Sequence, residues 1–164
     1  MFSIGDVVDL AVQIEKNGEK IYRKAAQETS SGSLCSLFQS LADDEVKHAK
    51  WLSELKDKVN KTTEDPRLEE MGKRVLQGIL ADQTFSLKDA GFLGIEENED
   101  LLKAAIEFEE DTALFYEMIR SFVDEEETLR HLDAIIEEEN HHITLLQKAL
   151  ESGAVEGGQS DHGN

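Results

Sequence analysis

The chain has 164 residues, a single cysteine and a formal net charge of −19. That length suits one domain with its own core, and Cys35 alone excludes an internal disulfide framework or a four-cysteine metal ribbon. With 36 acidic against 17 basic side chains, the surface repels phosphate backbones and gathers cations, so nucleic acid is not an expected partner.

The opening stretch, MFSIGDVVDLAVQIEKNGEK, lacks a basic start followed by an apolar block, so no signal peptide is expected. No apolar run approaches the ~20 residues that span a bilayer. The expected location is the cytoplasm, with no membrane partner.

One proline and long stretches of period 3.6 predict an all-α protein. Ser3 with Asp6 opens a first helix that runs to about Thr29. TSSGS breaks it, and a second helix covers about Ser33 to Asn60. Asp65-Pro66 fits a cap with proline in the first turn, starting a shorter helix through MGKRVLQGILADQ. Between Phe85 and Glu97 the pattern is mixed, with a helical turn at SLKDAG. A third long helix runs from about Asn98 to Val123. Asp124 with Glu127 restarts the chain as a fourth, which ends near Gly153. The tail, 154–164, has little to pack and is expected to be disordered. Short breaks make antiparallel hairpins, and the long connection lets the second hairpin lie beside the first. The expected architecture over residues 1–153 is a ferritin-like four-helix bundle.

The two halves repeat at an offset of 94 residues. Glu45 falls on Glu139, His48 on His142 and Leu52 on Leu146; Ala11 falls on Ala105, Glu15 on Glu109 and Tyr22 on Tyr116. Glu15 and Glu45 are 30 residues apart, as are Glu109 and Glu139. Any one Glu-x-x-His has the false-positive risk of a short motif; six matches in register do not. Each glutamate also interrupts an apolar stripe at a core position. Buried carboxylates cost several kcal/mol each unless neutralised, and no lysine or arginine shares these stripes near their level. A pair of divalent cations balances four glutamates. Glu15 and His48 are assigned to one ion and Glu109 and His142 to the other. Glu45 and Glu139 bridge both, with the ions ~3.5 to 4 Å apart. Mixed carboxylate and imidazole donors suit iron first, then manganese, with zinc as a redox-silent substitute. Glu138 and His141 form a competing Glu-x-x-His shifted by one residue, off the apolar stripe.

Around these ligands, Tyr22 and Tyr116 lie two turns past Glu15 and Glu109. Their hydroxyls, leaning back along the helix, are placed to bind a ligand carboxylate. Asp44 and Glu138 are either partners for the histidines or solvated surface. Trp51 and Cys35 read as packing residues, and His131, which falls on Leu37, is given no functional role by the repeat.

One Glu on each entry helix and Glu-x-x-His on each return helix resembles the di-iron carboxylate pattern of ferritin-like proteins. More narrowly, AVQIEKNGEKIYRKAA, LADDEVKHAKWL, AIEFEEDTALFYEMI and AIIEEENHHITLL resemble the rubrerythrin family over roughly residues 3–152. The resemblance implies a centre of two iron ions that reduces hydrogen peroxide, or reacts ferrous iron with peroxide or dioxygen, in oxidative-stress defence. Glu45 and Glu139, the bridging carboxylates, are then the expected catalytic residues. Two features depart from the family pattern. A lone Cys35 cannot form a rubredoxin-type iron site, which implies an external electron donor such as a rubredoxin. The turn after Glu109, where many rubrerythrins hold a further glutamate, contains Thr112 and Ala113. The alternatives are an iron-handling ferroxidase and a non-catalytic bundle stabilised by metal. A homodimer is expected from an exposed helix face.

Overall fold

The computed structural model describes residues 4–59, 66–67, 70, 98–121 and 123–156. Four long helices account for most of them: α1 (Ile4–Glu28), α2 (Gly32–Val59), α3 (Asn98–Arg120) and α4 (Glu126–Glu156). The chain divides into two compact units, Met1–Asp89 and Ala90–Asn164. In the first, α1 packs on α2; in the second, α3 packs on α4. No described helix is long and apolar enough to cross a membrane. Of the expected crossover helix, Pro66, Arg67 and Glu70 are helical. The rest of that segment, the SLKDAG turn and residues 157–164 lie outside the described residues.

Each hairpin folds because its apolar residues recur at helical spacing and its turn satisfies the helix ends. On α1 the buried face carries Val7, Val8, Ala11, Ile14, Tyr22 and Ala25; on α2 it carries Phe38, Leu41, Ala42, Ala49, Leu52 and Leu55. Tyr22 and Phe38 stack across this interface, with ring centroids 6.1 Å apart and planes 16° from parallel. Such a pair adds about 0.5–1.5 kcal/mol beyond the area it buries. Two cross-helix ion pairs flank the core, Lys56 to Asp9 at 2.6 Å and Arg23 to Asp43 at 2.7 Å. In the second hairpin, Leu102, Ala105, Phe108, Phe115 and Ile119 of α3 are buried, as are Leu132, Ile135 and Leu146 of α4. Arg120 grips the Asp133 carboxylate through both Nε and an Nη, a fork geometry that only arginine provides.

The turns show how the helices start and stop. The Thr29 amide still donates to the Ala25 carbonyl, at 3.0 Å. Ser31 then caps α2: its hydroxyl accepts from the Leu34 amide at 3.3 Å, and its carbonyl from the Cys35 amide at 2.9 Å. This places the start of α2 at Gly32, one residue before the expected Ser33. In the second hairpin the cap is Glu125 rather than Asp124. Its carboxylate accepts from the amides of Glu127 and Thr128, at 3.2 and 2.9 Å, and its carbonyl from the Leu129 amide. A residue preceding a helix caps best when its side chain reaches the second and third amides, and Glu125 does both.

Helix α3 ends at Arg120, short of the expected Val123. The Ser121 amide is shared between the carbonyls of Glu117 and Met118, the Ser121 hydroxyl also donates to Met118, and the Val123 amide turns back to Arg120. These tighter rings consume the last carbonyls and unwind the helix. Helix α4 passes Gly153 and continues to Glu156, so the expected boundary at 153 falls three residues early. Glycine ends a helix when it turns left-handed. Gly153 does not adopt that conformation, and in a helix it costs only about 1 kcal/mol.

Ser31→Ala is expected to lower stability by about 1 kcal/mol through loss of the α2 cap. Leu52→Ala, which opens a cavity in the core, is expected to cost about 2–5 kcal/mol. Urea denaturation of both variants at matched metal content checks the order; an equal cost would mean that Ser31 does more than cap α2.

Candidate metal centre

The same periodicity that buries the apolar stripes buries charged groups within them. Glu15 of α1 and Glu45 of α2 are 0% exposed, and His48 of α2 is 3% exposed. His48 Nδ1 lies 3.6 Å from Glu15 Oε2. One ligand atom from each of Glu15, Glu45 and His48 falls within 4.8 Å of the others. The second hairpin repeats the arrangement. Glu109 of α3 and Glu139 of α4 are 0% exposed and His142 of α4 is 2% exposed. His142 Nδ1 lies 3.2 Å from Glu139 Oε2 and 3.6 Å from Glu109 Oε1. Each hairpin therefore brings together its own two glutamates and histidine, as the spacing predicts.

The competing register is excluded by burial. Glu138 and His141 are both exposed, beside the buried Glu139 and His142. Tyr22 and Tyr116 are fully buried, Tyr22 against Phe38 and Tyr116 edge-on to Phe115. Asp44 accepts from Lys47 at 2.6 Å, an intrahelical surface pair. His131 is exposed, with Nδ1 donating to the Glu127 carbonyl at 2.9 Å. Cys35 is a half-buried free thiol and Trp51 is half-buried. The stripe reading missed Thr112, fully buried between Glu109 and Tyr116 on α3. Ala113 is buried as expected, but Thr112 is the deeper of the two. The signal that finds it is the repeat itself, which sets Thr112 on Gly18.

Burial governs the electrostatics of the second hairpin. Loss of water, followed by the nearby Glu139 carboxylate, pushes Glu109 up to about 8 from 4.5, against the opposing pull of His142. For His142, burial acts downward, but hydrogen bonding and attraction from Glu109 and Glu139 outweigh it and lift the imidazole to about 10 from 6.5. Without a cation, the cluster thus holds protons well above the ordinary carboxylate range.

The donor set fits a metal ion by chemistry and by spacing. Carboxylate oxygen and imidazole nitrogen bind first-row divalent ions at about 2.0–2.2 Å, which puts neighbouring ligand atoms roughly 3.0–3.5 Å from one another. The two separations of 3.6 Å lie closer to that edge than to the ~2.8 Å of a charge-assisted hydrogen bond, while the 3.2 Å between His142 and Glu139 suits a hydrogen bond or a shared ion equally. Two carboxylates and one imidazole per hairpin make a mixed oxygen and nitrogen donor set, open to iron, manganese or zinc.

Comparison with known proteins gives the same picture. The family model described as rubrerythrin matches residues 6–150. A crystal structure of a Thermotoga maritima protein, described as a candidate ferritin-like diiron-carboxylate protein, is similar with a TM-score of 0.66. Identity is 19%, over 93% of this chain and 97% of that one. At that identity the likeness concerns the fold: an all-α, ferritin-like four-helix bundle. No curated protein matches the chain in sequence.

The raised proton affinities set the sign of a pH effect in metal-free protein. Glu109 binds its proton more tightly folded than unfolded, so the stability linked to it is present in full below about 4.5 and is lost as pH rises through about 8. His142 adds the same sign between about 6.5 and about 10. Melting temperature of the metal-free protein is therefore expected to fall steadily from pH 5 to 9, and Glu109→Gln to flatten the lower part of that fall. Metal binding, which displaces these protons, is expected to tighten over the same range. A metal-free melting temperature that rises with pH would contradict the assignment.

Proposed function

The chain belongs to the rubrerythrin family, and from that premise we propose that it is a di-iron oxidoreductase that reduces hydrogen peroxide in oxidative-stress defence. The observation that carries this reading is the doubled set of buried ligands, two glutamates and a histidine in each hairpin. In this proposal Glu15 and His48 hold one iron ion, Glu109 and His142 the other, and Glu45 and Glu139 contact both. Manganese or zinc are the substitutes that the same donors accept. When bound, a ferrous pair supplies the two electrons that, with two protons, convert one hydrogen peroxide to two waters. An external donor such as a rubredoxin then returns two electrons.

The chain's own residues do the rest. The helices fix each histidine three residues after a glutamate, so both donors face the same side without reorganisation. Neutral imidazole presents Nδ1, the nitrogen turned to the carboxylates. Glu45 and Glu139 are proposed as catalytic because a carboxylate can shift between one and two cations while the histidines stay fixed. Tyr22 and Tyr116 are proposed to steady ligand carboxylates through their hydroxyls. The surrounding apolar side chains exclude water, which strengthens each of these interactions. We place the protein in the cytoplasm as a homodimer, with neither nucleic acid nor membrane among its partners.

The test is metal analysis of protein purified without chelator or added metal, followed by peroxide consumption under anaerobic conditions. About two iron ions per chain and rapid oxidation by peroxide are expected. Glu45→Ala and Glu139→Ala, reconstituted in parallel, are expected to react at least tenfold more slowly. Equal rates for all three would overturn the redox reading in favour of a structural metal. Faster reaction of ferrous protein with dioxygen than with peroxide, with release of ferric iron, would favour iron handling.

A further inference from the structure

The 94-residue register matches chemically identical buried residues at Glu15 and Glu109, Tyr22 and Tyr116, Glu45 and Glu139, and His48 and His142. At one buried position between them a polar side chain has no polar counterpart. Gly18 falls on Thr112, and both are buried. Setting the tyrosines aside, Thr112 is the one buried polar residue, among those described, beyond the six proposed ligands. It lies three residues after Glu109, on the same face of α3. Side chains on a helix lean toward its N-terminus, which carries the Thr112 hydroxyl toward the Glu109 turn.

The hydroxyl proton is already committed. Thr112 Oγ1 donates to the Phe108 carbonyl at 2.8 Å. A hydroxyl has one proton and two lone-pair sites, so toward any other group Thr112 can act only as an acceptor. The groups that call for such an acceptor in a metal centre are O–H bonds polarised by a cation, since bound water is both more acidic and a stronger donor than free water.

We propose that Thr112 makes the two metal positions unlike, by accepting a hydrogen bond from a water, or from the O–H of a peroxide, held by the ion of Glu109 and His142. The position of Glu15 and His48 has Gly18 at the matching place and lacks that acceptor. This inference rests on the two-metal reading above. It assigns the O–H-bearing ligand to one side of a centre whose ligand residues are otherwise the same in both halves. A threonine that only satisfies its own hydroxyl by bonding the carbonyl four residues back would have no such effect, because valine, of the same shape, would replace it without consequence for the metal.

Cobalt(II) is a suitable probe, because its visible absorption reports coordination number as well as occupancy. Full-length wild type, Thr112→Val, Thr112→Ser and Thr112→Gly are titrated in metal-free form, with folding checked by circular dichroism. Wild type is expected to bind two equivalents in two resolved steps. Thr112→Val is expected to weaken one step about tenfold, as the loss of one hydrogen bond implies, and to shift that ion to lower coordination number. Thr112→Ser is expected to restore both, and Thr112→Gly to bring the two steps together. If valine does not fold, Thr112→Ala should show the same selective loss. Valine and glycine variants that titrate as wild type would overturn the proposal while leaving the metal centre intact. Wild type that binds no cobalt would instead overturn the two-metal reading, and this inference with it.

Discussion

Ionisable groups withdrawn from water impose the condition that the rest of this molecule meets. Each hairpin buries two carboxylates and an imidazole inside an apolar stripe, and an uncompensated buried charge costs several kcal/mol. Compensation has to come from protons or from a cation, and the raised affinities of Glu109 and His142 show the first solution operating when the second is absent. The geometry favours the second. Donor atoms spaced like ligand edges give a cation more than they give a shared proton. Much of the remaining sequence serves this placement. The caps at Ser31 and Glu125 fix where α2 and α4 begin, and hence which residues of those helices face inward. The ion pairs of Lys56 with Asp9 and Arg23 with Asp43 hold α1 against α2 on both sides of the ligand level.

Most of this was legible in the sequence because it is periodic. Core positions repeat at helical spacing, the candidate ligands interrupt them at that spacing, and the two halves repeat one another. Three periodicities in agreement leave little freedom, which is why His142 rather than His141 was the expected inward residue, and burial bears that out. What was not legible depends on single hydrogen bonds or on packing. Asp124 and Glu125 are both acidic candidates for the α4 cap, and only the reach of the Glu125 carboxylate decides between them. The end of α3 turns on how the Ser121 amide is shared. Thr112 and Ala113 sit on either side of the stripe's midline, and both proved buried.

The likeness to a solved structure at 19% identity fits the same account. A helical bundle is specified by where apolar residues recur and by turn chemistry, so many side chains can serve at each core position. Positions that hold a metal would have no such latitude, since oxygen and nitrogen donors cannot be exchanged for apolar groups. The family match over residues 6–150 spans both hairpins and so takes in all six candidate ligands.

The two hairpin turns differ in length, residues 29–31 against 121–125, and yet the two buried glutamates of each hairpin are 30 residues apart. The difference is absorbed by unwinding the end of α3, while Ser31 and Glu125, 94 residues apart, cap their helices at equivalent places. Conformation in the turn is free to change; the number of residues is not. A single inserted or deleted residue there would leave the helix with two poor choices. It could rotate by about 100°, carrying glutamate and histidine off the buried face together, or it could take up the change by unwinding at its end. Outside the capping Ser31 and Glu125, substitutions in these turns should accumulate readily in descendants of this chain, whereas gaps should be rare, and found beside compensating loss or gain within the adjoining helix end.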